Sequence, residues 1–205
     1  MTASLIWGNK SLRSEDVIEK FRETGALLEG HFVLTSGLHS ANYLQCALVL
    51  QHPAQAELLG RSIAEHFQSE DIQTVASPAI GGLIIGHEVA RALGARFIWT
   101  ERENGKMVLR RGFSISGGER VLVVEDVVTT GGSTRETVAV LEANGAKVVG
   151  AASIIDRSAG KAEVGVARIA LATLNVPAVD PAKCAACKRG EPAIKPGSSK
   201  GPVGV

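Results

Sequence analysis

The chain has 205 residues, 45% of them hydrophobic and 21% charged, with a formal net charge of +1. That balance excludes a wholly disordered chain and suits one sizeable α/β domain with a smaller appendage. It carries no basic footprint for nucleic acid and no apolar run near the ~20 residues of a membrane span, and its three cysteines make no disulfide framework. The N-terminus has no signal-peptide core before a small-residue cleavage site, so the expected setting is a reducing cytoplasm.

"SEDVIEKFRETGALLEG" reads as a helix capped by Ser14, with Glu15 and Asp16 at its positive end and Gly30 as its stop. Val17, Phe21 and Leu28 fall on roughly one face. "HFVLTSGLHSANYLQCALVL" follows as two extended pieces about a Ser36-Gly37 turn. "AQAELLGRSIAEHFQ" is a second helix, repeating apolar residues at Leu59, Ile63 and Phe67. The pattern then becomes regular: strand "IQTVAS", helix "GGLIIGHEVARAL" ended by Gly94, strand "ARFIWTE" and strand "RVLVVED". Helix "STRETVAVLEANG", stopped at Asn144-Gly145, leads to strands "KVVGAASIID" and "VARIALATL". Continuous apolar strands alternating with helices predict an α/β fold with a five-stranded, mainly parallel sheet covered on both faces. Past Val176 the chain is rich in Pro, Lys and Gly, and "KPGSSKGPVGV" is expected to be a mobile tail.

In a parallel sheet ligands bind beyond the carboxyl ends of the strands. The loops at that edge are "SPAIGG", "TERENGK", "EDVVTTGGS" and "DRSAG", each glycine-bearing, charged or both, while the strand bodies are nearly bare of charge. Thr129, Thr130, Gly131, Gly132 and Ser133 can present successive N–H groups and hydroxyls ahead of a helix whose positive end points at the same place. That is a phosphate cradle, without the Gly-Lys-Ser/Thr ending of a nucleotide-hydrolysing P-loop and without G-x-G-x-x-G. Glu125 and Asp126 stand just before it, where carboxylates should repel a phosphate. They fit if the phosphate belongs to a sugar whose two hydroxyls they bind, and they can also bear on a Mg²⁺ ion held mainly by phosphates and water.

"VLVVEDVVTTGGS" closely resembles the phosphoribosyl-pyrophosphate signature of the type I phosphoribosyltransferases. "GALLEGHFVLTSGLHSANYLQCA", "SPAIGG" and "SIIDRSAG" resemble the hood, the pyrophosphate loop and the Asp-Arg pair of the orotate phosphoribosyltransferases in that family. The resemblance spans residues 15–175. It implies the type I fold: an N-terminal helix and hood segment at 1–50, a core at 51–176 and a C-terminal hood and tail at 177–205. Implied site residues are Asp126 and Glu125 on the ribose, with Thr129 to Ser133 on the 5′-phosphate. Ala79, Ile80, Gly81 and Gly82 would bind pyrophosphate, and Arg157, Tyr43 and Thr129 orotate. Arg157 could instead be a surface arginine paired with Asp156. Many members carry lysine where Thr35 and Gly81 stand, and a longer catalytic loop with a histidine. In "TERENGKMVLRRG" Arg102 and Lys106 are the implied catalytic cations, with Arg110 and Arg111 in reserve; the alternative for all four is a solvated charged hairpin.

The implied reaction transfers a phosphoribosyl group from phosphoribosyl pyrophosphate to orotate, in pyrimidine (UMP) biosynthesis. Mg²⁺ would be carried by the substrate, with no direct protein metal site beyond help from Glu125 and Asp126. The implied assembly is a homodimer that shares the mobile loop across its interface. A different base, or a non-catalytic regulator keeping the same pocket, would also fit the signature. Cys184 and Cys187 form a C-x-x-C, but zinc needs four ligands and one pair supplies two, so a site would need a second pair across a dimer. A thioredoxin-like motif should open a helix after a strand, which "DPAKCAACKRGEP" does not suggest. His39 lies in the hood turn and could face substrate, whereas His87 reads as packed or at the surface.

Overall fold

The computed structural model describes residues 12–34 and 36–196. Thr35 and the predicted tail beyond residue 196 lie outside them. Helix α1 (Ser14–Glu23) is capped one residue earlier than expected, by Arg13, whose backbone N–H donates to Asp16 Oδ2 at 3.1 Å. Val17 and Phe21 are fully buried on its inner face. It also stops earlier than expected. Gly25 takes φ +66°, its N–H donates to Arg22 O, and the Ala26 N–H reaches back to Phe21 O at 2.7 Å. This paired closure is a Schellman stop, so Leu28 and Gly30 pass into strand β1 (Leu27–Val33).

Strand β2 (His39–Leu44) runs antiparallel to β1. The apolar run after it is a short helix, α2 (Cys46–Leu50), where an extended piece was expected. Cys46, Val49 and Leu50 are buried at i, i+3 and i+4, a helical spacing too short for periodicity to separate from a strand. Helix α3 (Pro53–Glu65) starts on Pro53. Then come β3 (Thr74–Pro78), α4 (Gly82–Leu93), β4 (Arg96–Glu103) and β5 (Lys106–Leu109). They are followed by β6 (Arg120–Val128), α5 (Gly132–Ala143), β7 (Lys147–Asp156) and β8 (Arg168–Thr173).

The main sheet has the order β5-β4-β3-β6-β7-β8, parallel except for β5. The five predicted strands are thus joined by a sixth. Asn104 (φ 50°) and Gly105 (φ 79°) make the reverse turn that folds β5 back on β4, the left-handed pair that two-residue hairpins require. A second, three-stranded sheet combines β1 and β2 with β9 (Ala178–Val179), so the hood draws on both ends of the described chain. Beyond β9, a 3₁₀ turn at Pro181–Lys183 leads to α6 (Ala185–Lys188).

Two cores flank the main sheet. Leu122 and Val124 pack with α1, α3 and α4 through Phe21, Leu59 and Ile85. Val121 and Val123 pack with α5 through Val138 and Leu141. Alternate residues of β6 therefore face opposite layers, a parity that carries on through Glu125 and Asp126 before Val127 packs against the first core. Among the described residues no helix is long and apolar enough to cross a membrane.

Candidate active site

From β3 the chain moves first to β4 on one side and later to β6 on the other, so the order reverses between β3 and β6. At such a point two loops diverge and leave a crevice at the carboxyl edge. The loops in question are Ala79 to Gly81 and Thr129 to Gly131. The predicted acid pair closes β6 beside them, and the parity of the strand separates its two members.

Glu125 follows Val121 and Val123 toward α5, where the Thr134 hydroxyl donates to its carboxylate. Burial raises its pKa to about 7, against the pull of that hydrogen bond and helped by the charge of Asp126. Asp126 turns to the other side. Burial raises its pKa too, opposed by the Val127 N–H, which donates to Oδ1 at 2.8 Å. Gly81 crowds this carboxylate so closely that a Cβ there would lie 2.8 Å from Asp126 Oδ1. A side chain at this position could not enter without displacing the acid. The two carboxylates are therefore not equivalent: Glu125 is bonded to the first turn of α5, and Asp126 lies against Gly81 in the loop after β3.

Thr129 and Thr130 are exposed at the edge. Gly131 is the N-cap of α5 at φ +76°, and a Cβ on it would meet Val164 Cγ1 at 2.8 Å. Only glycine satisfies both demands. The first-turn N–H groups of α5 have no partners within the helix and point at the same space. Ala79, Ile80 and Gly81 connect β3 to α4, which opens at Gly82, with Ile80 exposed and the Ala79–Ile80 peptide cis. Beneath them Ser77 Oγ is buried without a hydrogen-bond partner.

Arg157 follows β7, its N–H donating to Val128 O at 2.8 Å. It is not paired with Asp156. That carboxylate is buried and accepts from Ser158 N–H at 2.7 Å, Gly160 N–H at 2.8 Å and Arg168 Nη2 at 3.1 Å. Those bonds hold its pKa below the ordinary value although burial alone would raise it. Arg157 is left with a buried Nε that has no partner. Burial lowers its pKa, and the groups that act on its charge are Cys46 and Tyr43. Tyr43 packs beside Phe32 with ring centroids 5.8 Å apart. Cys46, which no motif in the sequence singled out, lies under the site: burial and the Asp126 charge push its pKa well up, so it stays a neutral donor toward that carboxylate.

The charged segment is a hairpin made of the end of β4 and β5, with Met107 buried. Arg102 Nη1 pairs with Glu136 Oε2 of α5 at 2.8 Å, while Lys106 makes no ion pair among the described residues. The two reserves are engaged elsewhere. Arg110 pairs with Glu103 at 3.0 Å, and Arg111 holds Glu101 at 2.7 Å, bringing that carboxyl down to about 2 with help from Trp99 Nε1–H. His39 does not face the crevice but is buried against His31. His87 is exposed, edge-on to Phe97. A depression at the opposite sheet edge, around Arg96, Ser114 and Glu119, is self-satisfied: Arg96 bonds Glu119, Thr74 and Ser114 O.

Residues 47–169 match the family model described as the phosphoribosyl transferase domain. The chain is 54% identical over 186 residues to the orotate phosphoribosyltransferase of Pelotomaculum thermopropionicum, covering 91% of this chain and 98% of that one. It is 52% identical over 187 residues to that of Desulforamulus reducens, with the same coverage. Among solved structures it resembles the Mycobacterium tuberculosis orotate phosphoribosyltransferase in complex with 5-phospho-α-D-ribosyl 1-diphosphate. That match has a TM-score of 0.62 at 28% identity and covers 78% of this chain and 96% of the other. With a crevice of this composition at the switch point and relatives of this identity over nearly their whole length, the chain belongs to the orotate phosphoribosyltransferase family.

Proposed function

We propose that the chain transfers the 5-phosphoribosyl group from phosphoribosyl pyrophosphate to N1 of orotate, releasing pyrophosphate and orotidine 5′-phosphate, in the cytoplasm. The observation that carries the base assignment is Arg157: a half-buried guanidinium at the crevice, unclaimed by Asp156, with an unpartnered Nε. A flat, permanently charged fork matches the orotate carboxylate or its carbonyl edge, and Tyr43 supplies an aromatic neighbour.

Breaking the C1–oxygen bond develops positive charge on the ribose and negative charge on pyrophosphate. No covalent nucleophile is required. Thr129 to Ser133 would anchor the 5′-phosphate, and Asp126 the ribose hydroxyls near the developing cation. The loop from Ala79 to Gly82 would receive pyrophosphate on its backbone, Gly81 and Gly82 permitting close approach. Lys106 and Arg102 of a neighbouring subunit's hairpin would close over the leaving group, keep water out and neutralise it. Asp126 can offer one carboxylate to a Mg²⁺ held mainly by substrate oxygens and water, whereas Glu125, bonded to Thr134, is less available. When bound, the ion would neutralise pyrophosphate charge. A two-fold dimer that lends the hairpin to its neighbour completes the reading.

The test is a panel of orotate, uracil and purine bases, each with phosphoribosyl pyrophosphate and Mg²⁺, followed by pyrophosphate release. Turnover confined to orotate is expected. Turnover with a purine alone would overturn the base assignment, and binding without any turnover would make the chain a regulator.

A further inference from the structure

The hood holds a cluster that the transfer reaction does not use. His31 on β1, His39 on β2, Cys184 and Cys187 bring their ligating atoms to within 4.8 Å of one another. His31 Nε2 lies 2.7 Å from His39 Nδ1, 3.5 Å from Cys184 Sγ and 3.6 Å from Cys187 Sγ. Cys187 Sγ is 3.2 Å from His39 Nδ1. Both imidazoles and Cys184 are buried.

Hydrogen bonding alone does not account for this convergence. His31 Nδ1 sits 2.9 Å from Glu191 O. A carbonyl only accepts, so Nδ1 carries the ring proton and Nε2 of the neutral ring offers a single lone pair. Three groups crowd that lone pair: one imidazole nitrogen and two thiols. A cation at the centre resolves the conflict, because all four atoms then become donors to it. The Glu191 carbonyl supplies the outer contact that fixes the tautomer of a ligating histidine. A tetrahedron with Zn–S near 2.3 Å and Zn–N near 2.05 Å has edges of about 3.4–3.8 Å; the sulfur–nitrogen separations of 3.2, 3.5 and 3.6 Å are close to that, and the 2.7 Å nitrogen–nitrogen pair opens by roughly 0.7 Å to admit the ion.

The surrounding chain points the same way. β9 has two residues, paired through His39↔Val179 and Ser40↔Ala178. The segment behind it keeps most side chains exposed, and Ile194 joins the hood through single hydrogen bonds to His31 O and from Val33 N–H, both 2.8 Å. So small a sheet with so little apolar burial is weakly held by its own contacts. We propose that His31, His39, Cys184 and Cys187 bind one structural Zn²⁺ per chain, clamping the segment from Pro177 to Ile194 onto the hood. Two thiolates and two imidazoles in a four-ligand shell with no open position favour zinc and a structural role. The C-x-x-C pair therefore needs no partner subunit: the hood of the same chain supplies the other two ligands.

The full chain, purified without chelator from zinc-supplemented medium, should contain one equivalent of zinc by elemental analysis. Replacing zinc with Co²⁺ should give the thiolate-to-cobalt charge-transfer band and intense tetrahedral d–d bands. Neither measurement depends on a variant that must fold. In the apo protein Cys184 and Cys187 should react with a thiol reagent, and in the zinc form they should be protected. His39→Ala and Cys187→Ser should each lower zinc content at least tenfold. A metal-free protein that takes up neither zinc nor cobalt, or a stoichiometric iron content, would overturn the assignment.

Discussion

Glu125 and Asp126 are neighbours in sequence, yet a strand's period of two sends them into different layers. Glu125, with a pKa near 7 against an ordinary value near 4.5, is disfavoured as an anion in the folded chain. The folded state therefore binds the extra proton between those values, and stability is greatest below the lower one and falls as pH rises toward 7. The loss amounts to at most about 3 kcal/mol. Glu125→Gln should remove it, so between pH 5 and pH 8 the variant should lose less melting temperature than the parent. Parallel losses in the two proteins would show that Glu125 does not titrate there. Arg157 allows a second expectation. Arg157→Ala removes a charge-assisted fork contact, costing about 1.5–3 kcal/mol, or roughly ten- to a hundredfold. That loss should fall on KM for orotate and leave phosphoribosyl pyrophosphate nearly unaffected; equal loss for both substrates would make the arginine a structural one.

Among elements, the β6–loop–α5 unit depends on one backbone conformation. Gly131→Ala must adopt a left-handed φ while its Cβ meets Val164 at 2.8 Å. It should cost about 1–3 kcal/mol, read as a lower melting temperature with weaker phosphate binding. A melting point within a degree of the parent would refute the packing account. This unit was legible in the sequence because its signals are local: apolar run, acid pair, hydroxyl-rich turn and helix follow within a short stretch. The β4–β5 hairpin carried an equally local signal in Asn104-Gly105, but its charged flanks concealed it. They suggest a loop in search of a partner, whereas Met107 is buried and Arg102 already pairs with Glu136. α2 and the stop of α1 were hidden for another reason. Cys46 to Leu50 is too short for its period to show, and Gly25 marks a helix end only through the backbone closure around it. The contact between Cys184 and His31 spans 153 residues, and no pattern along the chain announces it.

For the whole molecule, the proposed dimer is testable by complementation. One inactive variant would lack both Arg102 and Lys106, and another would carry Asp126→Asn. If the hairpin serves the neighbouring subunit, a mixed dimer places both defects in one site and leaves the other intact. Random exchange makes half the dimers mixed, so about a quarter of parental activity should return. Demonstrated exchange with no recovered activity would assign the hairpin to its own subunit. The hood, finally, bears on how the enzyme is made. Its first two strands emerge early, but β9 and Ile194, which complete it, follow the last strand of the main sheet. At a synthesis rate of about 5–20 residues per second, the interval from Thr173 to Ile194 is roughly 1–4 s. During that time a nascent chain can have folded its phosphoribosyl core while the hood stands unfinished. The phosphoribosyl loops and Arg157 would therefore be in place on the ribosome before the strand that carries Tyr43 is braced, and a translation pause placed after β8 would lengthen that gap.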